Sequence, residues 1–136
     1  MPIVFDTNVY ISAFAAPGSR SSLALHLAAR GVFELVISPA ILAELRRKLS
    51  EPKFGFSKRE LDEAEGDIGK IATVVEPEEV ELSVLDDEPD NRVLECAVAA
   101  GAAAIVTGDK QLLSLKDYEG IGIMTVADLL YTFPKE

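Results

Sequence analysis

Tryptophan is absent from this chain, and cysteine and histidine occur once each, as Cys96 and His26. A single cysteine excludes an internal disulfide framework and fits a reducing compartment. One histidine and one cysteine cannot make a zinc site of the usual kind. No apolar run approaches the ~20 residues of a membrane span. Met1-Pro2 leads straight into an apolar run with no signal-peptide pattern. The expected location is therefore the cytoplasm, away from membranes. Basic residues are also scarce, 13 against 23 acids, for a net charge of −10. Such a chain does not coat nucleic acid through charge alone. A nucleic-acid enzyme stays open, because carboxylates that hold Mg²⁺ add to the negative count and the bound metal reverses the local sign. A basic partner protein, or solubility alone, would account for the charge as well.

What remains is 136 residues, 49% hydrophobic and 26% charged, the size and balance of one globular domain spanning 1–136. Short apolar runs alternate with helical patterns. Pro2 to Phe5 reads as a strand buried on both faces. A short helix follows from Val9 to Phe14, ended by Pro17-Gly18. A second helix, capped by Ser19 or Ser21, stops at Gly31. Phe33 to Ile37 is the second strand. Ser38-Pro39 then opens a helix to about Leu49, with serine as cap and proline at the first helical position. Ser57 caps a further helix, Lys58 to about Gly69, whose polarity predicts an exposed element. Lys70 to Val75 is the third strand. Glu76 to Asp90 holds eight acids and no Lys or Arg, and reads as a loop that Val80, Leu82, Val84 and Leu85 could anchor. The helix opening near Asp90 ends at Gly101. Ala103 to Thr107 is the fourth strand, Lys110 to Leu115 a short helix, Ile121 to Thr125 the fifth strand, and Val126 to about Thr132 the last helix. This alternation predicts an α/β sandwich on a mostly parallel sheet.

Right-handed crossovers place the C-terminal ends of such strands on one edge, where parallel α/β sheets keep their sites. Asp6 follows the first strand and Asp109 the fourth. Glu44 lies about one turn into the helix after the second strand, about 110° from the centre of the stripe of Ile41, Leu42, Leu45 and Leu49. It flanks the buried face. Asp90 sits in the first turn of the helix leading into the fourth strand. Each acid taken alone has a bland reading: Asp6 and Asp109 as turn or cap residues, Asp90 as a carboxylate favoured by the helix dipole, Glu44 as a solvated side chain. Together they would repel one another, and leaving them unpaired is costly. A hard divalent cation, Mg²⁺ or Mn²⁺, resolves the conflict through oxygen ligands. Such a centre suits phosphodiester hydrolysis, lowering the pKa of a bound water and stabilising the leaving oxygen. Cys96, far from the lone histidine, reads as a packing residue.

Four pieces of the chain are similar, in order, to PIN-domain ribonucleases, including the toxins of VapC-like toxin–antitoxin pairs. They are Val4-Phe5-Asp6-Thr7-Asn8-Val9, Ser38-Pro39 followed by Glu44, Pro89-Asp90-Asn91 opening a helix, and Ile105-Val106-Thr107-Gly108-Asp109. The resemblance implies a three-layer α/β/α sandwich with a five-stranded sheet in the order 3-2-1-4-5. It implies that Asp6, Glu44, Asp90 and Asp109 form the acidic metal-binding set, that Thr107 assists beside them and that Asn8 braces Asp6. Asp87 and Glu88 compete with Asp90 for the third place, and Asp90 is preferred because Asn91 follows it. The implied activity is a Mg²⁺/Mn²⁺-dependent endoribonuclease. RNA is the implied substrate, a cognate antitoxin the implied partner and a homodimer the implied assembly. Arg46, Arg47 and Lys110 are candidates to hold the RNA backbone.

Two other readings remain. A receiver-like signalling module also uses an acidic Mg²⁺ pocket on an α/β domain. It requires a phospho-accepting Asp after the third strand and a Lys after the fifth, where this chain has Glu76-Pro77 and no lysine. A catalytically inactive PIN-like domain that only binds a partner would not need all four acids. A dinucleotide site is unsupported, since no G-x-G-x-x-G follows the first strand.

Overall fold

A computed structural model describes residues 1–78 and 85–133. Val80, Leu82 and Val84, expected to anchor the acidic loop, lie outside the described residues. The chain begins with β1 (Pro2–Phe5), α1 (Thr7–Ala15) and α2 (Arg20–Ala29), and continues through β2 (Glu34–Ile37), α3 (Pro39–Leu49), α4 (Lys58–Ile71) and β3 (Ala72–Val74). It then forms α5 (Glu88–Ala100), β4 (Ala104–Val106), α6 (Lys110–Leu115), the two-residue β5 (Asp117–Tyr118), β6 (Ile121–Met124) and α7 (Val126–Thr132).

Among the described residues the strands form one sheet in the order β3-β2-β1-β4-β6-β5. Every pairing is parallel except β5 with β6. The expected order therefore holds with β6 in the fifth place, and the sheet has six strands, not five. The extra strand is a hairpin return. Its turn puts Glu119 at φ 50° and Gly120 at φ 83°, and two residues are too short to leave a period-2 pattern.

β1 occupies the centre, with β2 on one side and β4 on the other. Ile3, Val4 and Phe5 are all buried. Successive strand residues point to opposite faces, so both faces are covered. α1 and α5 each pack against β1. Phe5 meets Tyr10 and Phe33 with the rings tilted by 53° and 54°, at centroid distances of 5.7 and 5.9 Å. Cys96 is buried and unpaired in α5. Desolvation pushes its thiol up to about 11, which keeps it protonated and inert.

The helix caps follow the sequence. Ser19, Ser38 and Ser57 each accept a backbone N–H at the start of their helix. Two expectations fail. The third strand is shorter than 70–75, because Lys70 and Ile71 stay helical. Ile71 continues the spacing of Ile68 on the buried side of α4, and β3 starts only at Ala72. Nor is α4 merely an exposed element. Leu61, Ala64 and Ile68 are buried at spacings of three and four. Arg46 of α3 reaches both Asp62 and Glu65 of α4 at 2.9 Å. Arg46 is thus a strut between helices.

Ile105 pairs with Val4 on one side and Ile123 on the other and is fully buried. Ile105→Ala is expected to lower stability by about 2–5 kcal/mol in urea denaturation. A loss below about 1 kcal/mol would mean that the sheet centre is not the core.

Candidate metal centre

Four elements bring acids to the C-terminal edge of the parallel strands. Asp6 is the residue after β1 and stands at the start of α1 without capping it through its side chain. Its carboxylate is 3% exposed. The neighbouring strand supplies its partner: Thr107 Oγ1, fully buried, donates to Asp6 Oδ2 at 2.8 Å. The same Oγ1 accepts the backbone N–H of Asp109 at 2.9 Å. One hydroxyl therefore ties the end of β1 to the turn after β4. Asn8 acts through its backbone N–H, which faces the Asp6 carboxylate, while its side chain is exposed. The contact from Asn8 to Asp6 is thus made by the main chain. Burial raises the pKa of Asp6, against the pull of Thr107 and Asn8; the charge of Asp109 also raises it and that of Lys48 lowers it.

Asp109 caps α6, with Oδ1 accepting the N–H groups of Gln111 at 2.8 Å and Leu112 at 3.1 Å. The cap reading holds, and it uses Oδ1 alone. Asp87 and Asp90 now separate. Asp87 is exposed and spends its Oδ1 on the Asp90 N–H at 3.1 Å as the cap of α5. Asp90 is buried, and its Oδ2 has no hydrogen-bond partner among the described residues. Desolvation, then Asp109, then the charges of Asp87 and Asp6 push its pKa up to about 8. Asn91 clamps the chain ahead of the helix. Its amide donates to Leu85 O at 2.7 Å and accepts Leu85 N–H at 2.9 Å.

Asp6, Asp90 and Asp109 are therefore brought within one another's electrostatic reach. Glu44 stands apart from them. It lines an adjoining cleft of about 460 Å³ with Thr7, Arg47, Glu88 and Arg92. Arg47 grips both of its oxygens, Nε to Oε1 at 2.8 Å and a second bond at 3.0 Å. Glu44 is not among the charges acting on Asp6 or Asp90. Nothing in the sequence of α3 sets Arg47 and Lys48 apart from Arg46 beside them. Only the packing of α3 shows that one holds Glu44 and the other acts on Asp6.

The donor set is all oxygen, and it includes a buried carboxylate oxygen without a partner. That fits a hard cation such as Mg²⁺, which is held by one or two carboxylates and completes its shell with water and phosphate. Among the described residues no three acids are already gathered into a ligand cage. A cation would thus take Asp6 and its near neighbours and leave the remaining positions open.

The fold and the edge cluster define a carboxylate-centred α/β domain, and comparison with known proteins gives it a family. Residues 2–111 match the family model described as PIN domain. A protein of Methanocaldococcus jannaschii, MJ1680, is 35% identical over 119 residues, covering 85% of this chain and 75% of that protein. The chain belongs to the PIN-domain family, whose members are typically nucleases that use divalent metal ions. This sets aside the receiver-like alternative. The fold is also that of a chain in the structure of VapBC2 from Rickettsia felis bound to a DNA fragment from their promoter. The TM-score is 0.61 at 15% identity, covering 92% of this chain and 98% of that one.

The raised pKa of Asp90 fixes the sign of a pH effect. Without metal, the folded protein keeps the Asp90 proton to about pH 8, whereas the unfolded chain releases it near pH 4. Between these values the native state binds more protons, so this group makes stability fall as pH rises. Asp90→Asn should therefore be more stable than the parent at pH 8, by more than about 1 kcal/mol, and nearly equal to it at pH 4. Denaturation in EDTA at the two pH values checks this. Equal stability at pH 8 would mean that Asp90 is not held against repulsion.

Proposed function

We propose that this chain is a Mg²⁺/Mn²⁺-dependent endoribonuclease, the toxin of a toxin–antitoxin pair. The observation that carries the reading is Asp90, a buried carboxylate with an unpartnered oxygen, set beside Asp6 and Asp109 at the strand ends. A folded protein has no structural use for such a group. A cation there would relieve the repulsion and, once bound, would supply an activated water and charge stabilisation at the leaving oxygen.

The chain's own residues have distinct tasks. Thr107 holds Asp6 by its Oδ2. The α6 cap fixes Asp109, and the first turn of α5 fixes Asp90. These three are the proposed metal ligands. Glu44 is the fourth member of the set, oriented by Arg47 on the wall of the cleft. Lys110, exposed directly after Asp109, and Arg47 contact the RNA backbone. Arg46 is spent on α4 and takes no part in that contact.

The toxin assignment is supported by the likeness in fold to a chain of VapBC2. A cognate antitoxin as partner, a homodimer, a single domain over 1–136 and a cytoplasmic location complete the proposal. No helix among the described residues is long and apolar enough to cross a membrane.

Asp6→Asn should reduce Mn²⁺-dependent cleavage of single-stranded RNA by at least about 100-fold, while its circular dichroism matches the parent. EDTA should abolish the parent's activity, and Mn²⁺ should restore it. Full metal-dependent cleavage by a folded Asp6→Asn protein would defeat the assignment.

A further inference from the structure

A second cleft, of about 300 Å³, has Thr107 in its wall. Asn8 and Ser12 of α1, Arg20 and Ser21 of α2, Thr107 and Thr125 line it, with glycine and small apolar residues completing the wall. Its composition differs from that of its neighbour. The Glu44 cleft carries two glutamates as well as two arginines. This one carries a guanidinium, an amide and four hydroxyls, and no carboxylate.

On a chain of net charge −10, an acid-free cleft beside an acidic centre is the place where an anionic strand meets least repulsion. Several of its donors are also uncommitted. Among the described residues Arg20 has no acidic partner, unlike Arg46, Arg47, Lys58 and Arg59, each of which pairs with a carboxylate. Among the described residues the side chains of Asn8 and Ser21 have no hydrogen-bond partner. Asn8 is free to face the cleft because its backbone N–H, not its amide, serves Asp6.

We propose that this cleft is a substrate subsite, in which Arg20, with Asn8 and Ser21, holds a backbone phosphate of single-stranded RNA next to the phosphodiester being cut. Thr107 links the two places, since its hydroxyl holds Asp6 while its residue lines the cleft. The guanidinium matches two phosphate oxygens at once, and the neutral donors add contacts without base preference. The subsite rests on the ribonuclease reading above.

The test is steady-state cleavage of a short single-stranded RNA in Mn²⁺, over a range of salt. Arg20→Ala should raise KM about tenfold, the worth of one charge-assisted contact, with the loss falling on KM rather than kcat. The salt slope should shrink by about 0.7. Arg20→Glu should lose more, and Arg20→Lys less. Arg30→Ala removes the same charge from the opposite end of α2 and should behave as the parent. An Arg20→Glu protein with the parent's KM and salt slope would overturn the subsite and leave the nuclease reading standing. A parent that cleaves no RNA in Mn²⁺ would overturn both.

Discussion

The bond from Thr107 Oγ1 to Asp6 Oδ2, 2.8 Å long between residues 101 apart in sequence, is the contact on which the candidate centre depends. It spans the two central strands where they end, and both ends of it are buried. A buried carboxylate without such a donor would hold its proton and turn neutral. The hydroxyl favours the ionised form, and by accepting the Asp109 N–H it also sets the turn that carries the second acid. A valine of nearly the same shape would pack in the same place and supply neither function. The register of β1 against β4, with Phe5 opposite Val106, brings Asp6 and Thr107 level at the edge.

The centre is built from opposed tendencies. Burial, and in part the charge of neighbouring acids, Asp109 above all, raises the pKa of Asp6 and Asp90, while the packing that buries them comes from a core that has nothing to do with charge. Val93, Leu94 and Ala97 seat α5, and that seating carries Asp90 inward with it. Hydrophobic burial of a helix is worth several kcal/mol, enough to force a carboxylate into a place it would not choose. Such stored repulsion is what a cation relieves. It explains why the most perturbed acid lies on a helix anchored through its apolar face, and not on a loop free to swing away.

Much of this was legible in the residues because it depends on local chemistry. β-branched runs gave the strands, serine caps gave the helix starts, and an acid directly past an apolar strand marked the edge. The choice between Asp87 and Asp90 was not legible. Both sit near the start of α5, and only the rotation of that helix against the sheet sends one outward as the cap and the other inward. Glu44 shows the same limit. Its angle on α3 predicts a flanking position, which holds, but only the folded helix shows Arg47, three residues on, bonded to it. β5 was invisible for a different reason: a two-residue strand is made by a turn and a partner, not by its own composition.

The sorting of charge follows from the same geometry. The sequence shows only an acidic chain with a cluster of cations in one stretch, of which Arg46 and Arg47 are candidates for the RNA backbone. In the folded protein those cations are largely consumed. Arg46 ties α3 to α4, Arg47 holds Glu44, and Lys58 and Arg59 pair along their own helix. Among the described residues the guanidinium left without an acidic partner near the acids is Arg20, a residue alone in its stretch of sequence and unremarkable there. Cations that come in clusters tend to be answered by acids on neighbouring turns, as α4 answers Arg46. Arg20, exposed and without an acidic partner among the described residues, keeps its guanidinium for water or for an anion, and the proposed subsite uses it for the second.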